Sequence, residues 1–104
     1  MFDFFRKNKP KSFVEKLSTA VFTTKFVINE KQTITYVTHD IDDGAWQFFS
    51  EDDFESFEEV AMIVSLEQII ELDKSILEIS DLPLGCVATR KDKNDKWKIN
   101  NQSE

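Results

Sequence analysis

The N-terminal half of the chain contains three runs of β-branched and aromatic residues separated by polar turns. The runs cover residues 21–28, 33–39 and 45–49. Residues 29–32 form a polar link between the first two, and Asp42-Asp43-Gly44 precedes the third, where glycine tolerates the positive φ of a tight turn. Such runs with short links predict consecutive antiparallel strands. We therefore expect a three-stranded meander.

Two serine residues precede apolar stretches with helical spacing. Ser12 and Glu15 form a capping box before an apolar stripe, which predicts a helix over residues 13–19. Ser65 and Gln68 repeat this arrangement and predict a second helix directly after the serine.

Apolar runs in the C-terminal half predict three further strands. Residues 60–64 form a short aliphatic run typical of a buried strand, and the acidic residues 50–59 before it predict a loop or a helical turn. Residues 86–90 and 97–99 flank a polar turn and predict a C-terminal hairpin. The arginine that ends the first of these strands and the tryptophan that begins the second are expected to form a cation–π pair.

These elements together predict an α+β fold. We expect a mostly antiparallel sheet, made of the three-stranded meander and the C-terminal hairpin, with two or three short helices on one face. Residues 73–79 are expected to form a further short helix or a turn. Residues 12–100 are predicted to be a single domain, between a flexible N-terminus rich in Phe and Lys (residues 1–11) and a loose tail (residues 101–104).

The acidic residues of this 104-residue chain are concentrated in one stretch. The chain carries 13 Lys and Arg against 20 Asp and Glu, a formal charge of −7. Nine of the acidic residues lie between Asp40 and Glu59, where there is no Lys or Arg. Because phosphate binding needs clustered basic side chains, we expect no nucleic-acid partner.

Cysteine content and hydropathy predict a cytoplasmic protein. Cys86 is the only cysteine, so an internal disulfide is impossible and a secreted disulfide scaffold is excluded. No apolar h-region follows the N-terminal charges, and no apolar stretch approaches the ~20 residues that span a bilayer. We expect neither a signal peptide nor stable membrane insertion.

No residue pattern indicates a particular reaction. His39 is the only histidine; a catalytic role would make it a general base oriented by Asp40 or Asp42. Cys86 is expected to be a buried, inert thiol. The Asp-rich turn before Gly44 lacks the register and the terminal Glu of a calcium loop. We assign no catalytic residue, no metal ligand and no cofactor, and we predict that the protein is not an enzyme.

The acidic stretch is interleaved with aromatic residues, which is typical of a surface that binds a basic protein. Carboxylates accelerate encounter by electrostatic steering, and aromatic side chains supply binding energy. A protein that neutralises a nuclease needs such a face, because a nuclease site is basic. The predicted partner-binding residues are Asp40, Asp42, Asp43, Trp46, Glu51, Asp52, Asp53, Phe54 and Glu55.

Three other interpretations stay open at this stage. In the first, the carboxylates are a solvated rim and the aromatic residues belong to the core. In the second, the protein is a small enzyme that uses His39 with nearby carboxylates. In the third, it is a regulatory module docked by its Phe/Lys-rich residues 1–11. The sequence predicts no oligomeric state.

Three segments together resemble a group of small bacterial proteins of unknown function. The segments are Val37-Thr38-His39-Asp40 with Gly44-Ala45-Trp46-Gln47-Phe48, then Val64-Ser65-Leu66, and then Leu82-Pro83-Leu84-Gly85-Cys86-Val87-Ala88-Thr89-Arg90 with Trp97. Some members of that group are classed with immunity proteins of polymorphic toxin systems. The resemblance covers about residues 20–99 and implies no catalytic residues. An immunity role would make the protein an antagonist, and from charge we place its binding residues on the acidic aromatic stretch.

Overall fold

The computed structural model describes residues 11–101. The predicted flexible N-terminus and loose tail lie outside the described residues, except for Lys11 and Asn101. The described elements follow one another as β1 (Ala20–Thr24), α1 (Lys25–Ile28), β2 (Tyr36–His39), β3 (Trp46–Phe49), α2 (Phe57–Val60), β4 (Ala61–Ser65), α3 (Leu66–Leu72), a 3₁₀ helix (Lys74–Ile79), β5 (Cys86–Thr89) and β6 (Lys98–Asn101).

The six strands form one mixed sheet in the order β4-β1-β3-β2-β5-β6. The neighbouring pairs are antiparallel except for β1 and β3, which run parallel. The α+β class and the mostly antiparallel sheet are confirmed, as are the hairpin of β2 and β3 and the C-terminal hairpin of β5 and β6. The expected sheet of meander and hairpin has five strands, whereas β4 joins the observed sheet as a sixth, and the strand pairing also differs from the prediction.

The predicted three-stranded meander is wrong because β1 does not pair with β2. β1 lies between β3 and β4, and its pairing with β3 is parallel. The chain leaves β1 through α1, whose residues 25–28 were predicted as strand. The Thr24 hydroxyl accepts a hydrogen bond from the Val27 amide at 3.4 Å and caps this helical turn. Local capping therefore ends β1 before a hairpin with β2 can form.

The predicted helix over residues 13–19 is also absent from the described structure, which has bends and one turn there. The Glu15 carboxylate accepts a hydrogen bond from the Trp46 indole N–H at 2.9 Å. The carbonyls of Leu17 and Thr19 accept the amides of the first two residues of α3, at 3.0 and 2.8 Å. Contacts with the rest of the fold thus replace the local helix, because a helix this short has little stability alone.

The helix predicted after Ser65 forms as α3. The Ser65 hydroxyl accepts a hydrogen bond from the Gln68 amide at 3.1 Å. Asp73 ends α3 and caps the following 3₁₀ helix, where its carboxylate accepts the Ser75 amide at 3.0 Å. These caps are local, and the sequence pattern identifies the first of them correctly.

The core lies on one face of the sheet, under α3 and the 3₁₀ helix. Alternate residues of the central strands point into it, as the strand period requires. The largest fully buried side chains include Trp46, Phe48, Leu66, Ile69 and Ile76. The helices do not all share this face, because Phe57 of α2 packs against aromatic residues of the other one. The prediction of helices on one face therefore holds only in part.

A buried ion pair ties the C-terminal hairpin to the helical layer. The Arg90 guanidinium donates to Asp73 Oδ2 and to Ser75 Oγ, both at 2.8 Å, and to the Ile34 carbonyl at 3.0 Å. It also lies 4.1 Å from the centroid of the Trp97 ring, which confirms the predicted cation–π pair. Each of the three guanidinium nitrogens of Arg90 therefore donates one hydrogen bond, and the Trp97 ring covers one face of the group.

Candidate protein-binding surface

The face of the sheet opposite the core carries a cluster of five aromatic rings, which we call the aromatic patch. Tyr36 of β2 and Phe49 of β3 are cross-strand partners, and their ring centroids are 6.1 Å apart. The patch consists of Phe22, Tyr36, Phe49, Phe54 and Phe57. Strand alternation explains its position, since Phe49 follows the core residue Phe48 and must point the other way.

The segment after β3 folds back over this face and completes the aromatic patch. Phe54 stacks on Phe49 with centroids 6.3 Å apart, and Phe57 of α2 lies 5.5 Å from the same ring. Phe57 also approaches Phe22 of β1 at 6.4 Å. These contacts anchor the acidic segment to the body of the protein.

The outer part of the aromatic patch remains open to solvent. The exposed fractions are 42% for Tyr36 and 40% for Phe54. Ile63 of β4, which is the cross-strand partner of Phe22, is 66% exposed and extends the apolar area across β1. Contiguous exposed apolar side chains with a polar rim are typical of interaction sites rather than of ordinary surface.

Six carboxylates flank Phe54 and Phe57 along the chain, beside the aromatic patch. The exposed members are Glu51, Asp53, Glu55, Glu58 and Glu59, and Asp52 is half-buried. The Asp52 carboxylate accepts the Ser50 hydroxyl at 2.7 Å. Among residues 11–101, the ion pairs involve other carboxylates. We call these six residues the acidic rim.

The predicted binding residues of the β2–β3 turn lie apart from the acidic rim. The turn joins one end of the hairpin and the rim begins at the other end, so the length of β3, about 13 Å for a four-residue strand, separates them. Asp40 accepts the Asp42 amide at 2.8 Å, and Asp43 accepts the Ala45 amide at 2.9 Å. Two of the turn's carboxylates therefore stabilise its backbone, and the acidic stretch forms two groups rather than one face.

Trp46, which was also predicted as a binding residue, lies on the core side of the sheet and is only 1% exposed. Its ring stacks on His39 with centroids 4.0 Å apart and meets the edge of Phe13 at 5.0 Å. A partner has no access to this side chain in the folded protein. Of the nine predicted residues, only Glu51, Asp52, Asp53, Phe54 and Glu55 belong to the aromatic patch and its rim.

Comparison with known families identifies the chain. The family model described as "Immunity protein Imm33 domain" matches residues 21–100, which is most of the sequence. The chain belongs to the Imm33 family. The resemblance to immunity proteins drawn from the sequence is confirmed. Comparisons with curated proteins and with solved structures found no significant match.

The matched Imm33 segment begins in β1, ends in β6 and contains both the aromatic patch and the acidic rim. Membership in a family of immunity proteins implies, at a coarse level, a protein that acts as an antagonist by binding another protein rather than by catalysis. None of the helices that the structure describes in this Imm33 protein is long and apolar enough to cross a membrane.

His39 of the Imm33 protein is held by a hydrogen bond to the backbone just before β5. Its Nδ1 lies 2.7 Å from the Leu82 carbonyl and must donate to it, because a carbonyl only accepts. Its Nε2 is 3.8 Å from Glu15 Oε2. The predicted orientation by Asp40 or Asp42 is not seen, since Asp40 is bonded to the Asp42 amide. With 13% of the side chain exposed, the ring packs as part of the core.

The other side chains of the Imm33 protein that could take part in catalysis or metal binding do not form a cluster among the described residues. Cys86 is a cross-strand neighbour of His39, and its thiol lies 3.5 Å from Asn101 Oδ1. Within the described residues, no three His, Cys, Asp or Glu side chains are grouped so that they could hold a metal ion.

Sequence reasoning missed three members of the exposed surface of the Imm33 protein: Phe22, Tyr36 and Ile63. Each was predicted to be in a strand, but the sequence does not show that β1 runs between β3 and β4. Only that pairing brings all three onto one face. The available signal was the alternation of Trp46 and Phe48 with Gln47 and Phe49, which predicts two aromatic faces without saying which is covered.

Proposed function

We propose that this Imm33 protein is a non-enzymatic antagonist that binds a basic partner protein through the aromatic patch and its acidic rim. The observation that carries the proposal is the exposure of Phe54 and Tyr36 at about 40% each, beside a chain segment that carries six carboxylates. An exposed ring costs solvation free energy in the free protein, and burial against a partner recovers it.

Charge supports a basic partner. Residues 32–73 contain twelve acidic residues and no Lys or Arg, and this range includes the whole acidic rim. Lys91 lines one pocket together with Glu51, so the acidic charge predominates here without being the only sign. A surface on which one sign of charge predominates attracts the opposite sign and raises association rates by about 10–10³-fold at low salt. Such attraction is screened over a Debye length of about 8 Å at physiological ionic strength, so partner association should depend steeply on salt.

Phe54 is the best candidate for an energetic centre of this interface. Asp53 and Glu55 of the acidic rim adjoin it in the chain. Its ring contacts with Phe49 and Phe57 hold it in place. A ring that is already positioned loses little conformational entropy when a partner covers it. Hot spots of this kind are surrounded by contacts of smaller energy, which is the role we assign to the carboxylates.

The proposal is tested by two charge-reversed variants with the same net charge. Asp53→Lys/Glu55→Lys alters the acidic rim, and Asp42→Lys/Asp43→Lys alters the β2–β3 turn at the other end of β3. The turn is the strongest competing surface, because Ile41 beside its carboxylates is 67% exposed. Tagged wild-type protein and both variants would be used to capture partners from the native cell lysate, and the captured protein would then be titrated against each by calorimetry.

We expect the wild type and the turn variant to bind one basic protein with similar affinity, and the rim variant to bind it at least ten times more weakly. Equal weakening by the two variants would show that only total charge matters. Loss of binding in the turn variant alone would move the interface to the other end of β3. Either result contradicts the assignment of the surface.

A further inference from the structure

The two edges of the sheet are built differently. β6 has the sequence Lys-Ile-Asn-Asn and is exposed along its whole length, and charged or polar residues on an edge discourage pairing with another chain. β4 has the sequence Ala-Met-Ile-Val-Ser, with no charge and no proline. Its register with β1 is regular over five residue pairs, so no bulge interrupts it. One edge is protected against strand addition and the other is open.

No strand among residues 11–101 pairs with the outer edge of β4. Half of the backbone N–H and C=O groups of an edge strand point away from the sheet and can accept another strand. None of the five β4 residues is fully buried, and Ile63 at its centre is 66% exposed. An apolar edge strand that no other strand of residues 11–101 pairs with is a template for an added strand.

We propose that β4 is the edge at which the partner adds an extended, basic strand, so that the six-stranded sheet gains a further strand on binding. The inference rests on the proposed function and extends it by naming how the partner's backbone is held. It commits to one occupant, a basic segment of the partner in β conformation.

Charge selects this occupant over a second copy of the chain. Glu58 and Glu59 lie directly before β4, and Glu67 and Glu71 follow it in α3. The chain segments just before and after β4 therefore carry four carboxylates, against two exposed lysines, Lys16 and Lys25, next to the segments that pair with its ends. Two copies paired through β4 would bring two such acidic sets together, and like charges across an interface oppose association.

The edge is also continuous with the proposed binding surface. Ile63 is the cross-strand partner of Phe22, and Phe22 contacts Phe57 of the aromatic patch. An added strand therefore places its alternate side chains in line with the apolar face that begins at Ile63. The backbone of the strand supplies affinity, and the aromatic patch receives the neighbouring part of the partner.

The test uses the full chain and a capped synthetic peptide of alternating lysine and valine as the probe. The control peptide has the same side chains and charge, but every backbone amide is methylated, so it cannot donate to a strand edge. Amide hydrogen exchange of Ala61–Ser65 is followed by NMR in the free protein and with each peptide. With the first peptide at ten times its Kd, we expect about tenfold slower exchange of the β4 amides that face away from β1.

Two isoleucine variants test whether the peptide binds at β4. Ile63→Thr keeps a β-branched residue and the net charge but removes the apolar contact, and it should weaken peptide binding about fivefold. The matched Ile99→Thr lies on β6, where the isoleucine is 51% exposed, and it should leave binding unchanged. Equal effects of the two variants would overturn the assignment to β4.

Three other results would also overturn it. If both peptides bind equally and exchange in β4 is not slowed, charge alone holds the peptide. This result would not affect capture of a basic partner protein, so the proposed function would survive it. If the β4 amides of the free protein exchange more slowly as the protein concentration is raised, a second copy of the chain is the occupant. Slow exchange at every concentration would show that the edge is already covered.

Discussion

Asp73→Asn should destabilise the protein by about 3 kcal/mol, because it leaves the Arg90 charge buried without its counter-charge. The side chains of Arg90 and Asp73 are only 1% and 10% exposed. Asparagine has nearly the same size as aspartate, so no cavity forms. The loss comes from the missing charge and from the replacement of one acceptor oxygen by an NH₂ group, since both oxygens of Asp73 accept hydrogen bonds. Arg90 keeps its bonds to the Ile34 carbonyl and the Ser75 hydroxyl, which places the effect at the lower end of the usual range for a broken buried pair.

Urea unfolding at neutral pH measures this loss. For a domain of this size, about 3 kcal/mol lowers the urea midpoint by roughly 2 M. The matched control is Asp81→Asn, which breaks the exposed pair between Asp81 and Lys11, where the side chains are 65% and 55% exposed. That substitution should lower the free energy of unfolding by only about 0–1 kcal/mol. If Asp73→Asn costs no more than Asp81→Asn, the buried pair does not hold the hairpin as described.

The same residue gives the stability a defined pH dependence. Burial alone would raise the pKa of Asp73, but hydrogen bonds from Ser75 and the charge of Arg90 outweigh it and hold the pKa below the ordinary value of 3.8. A carboxylate whose folded pKa is depressed stabilises the protein above the unfolded pKa, and this contribution is lost as pH falls through the folded pKa. The stability difference between wild type and Asp73→Asn should be constant above about pH 5 and shrink below about pH 4. A difference that persists unchanged at about pH 2 would contradict this cause.

Three further substitutions test individual contacts. Phe54→Ala should weaken partner binding about 30-fold, measured by calorimetry, if the ring is an energetic centre; a change below about threefold would remove it from that role. Trp46→Phe should lower unfolding free energy by about 1–2 kcal/mol, because the Glu15 carboxylate loses its indole donor; a neutral result would show that this bond adds nothing. Gly85→Ala should lower the free energy of unfolding, measured in urea, more than Gly44→Ala does. Both glycines have positive φ, but only at Gly85 does an added Cβ meet another side chain, 3.2 Å away. The reverse order would contradict that packing.

Features that depend on neighbouring residues were predictable from the sequence. The cap formed by Ser65 and the turn before β3 both follow from side chains within a few positions of the backbone groups they serve. The C-terminal hairpin and its cation–π pair follow in the same way, because a short turn forces its two strands together. Local chemistry determines these elements.

Long-range pairing was not predictable in this way. β1 meets β3 and β4, whose paired residues lie about 25 and about 40 positions further along the chain. The capping box at Ser12 was overridden because Glu15 reaches the Trp46 indole instead of the local backbone. Neither the pairing of β1 nor the loss of the capping box can be predicted from adjacent residues. Each depends on residues that are distant in sequence and become neighbours only in the folded sheet.

About half of the candidate site was predictable, for a related reason. The acidic, Phe-containing segment after β3 was identified from composition, and the aromatic patch and its rim include it. The β2–β3 turn was grouped with it because the two are close in sequence, yet a strand between them carries them to opposite ends. Trp46 was included because strand alternation does not reveal which of two aromatic faces is covered.

The most direct test of the central claim is a cross-saturation NMR experiment on the labelled protein with its captured partner. Saturating the partner's protons attenuates only those amide signals of the protein that lie within contact distance. The account predicts attenuation at Tyr36, at Phe54 and along the acidic rim, with no effect at Asp42, Asp43 and Gly44. Attenuation confined to the β2–β3 turn, or to β6, would contradict it.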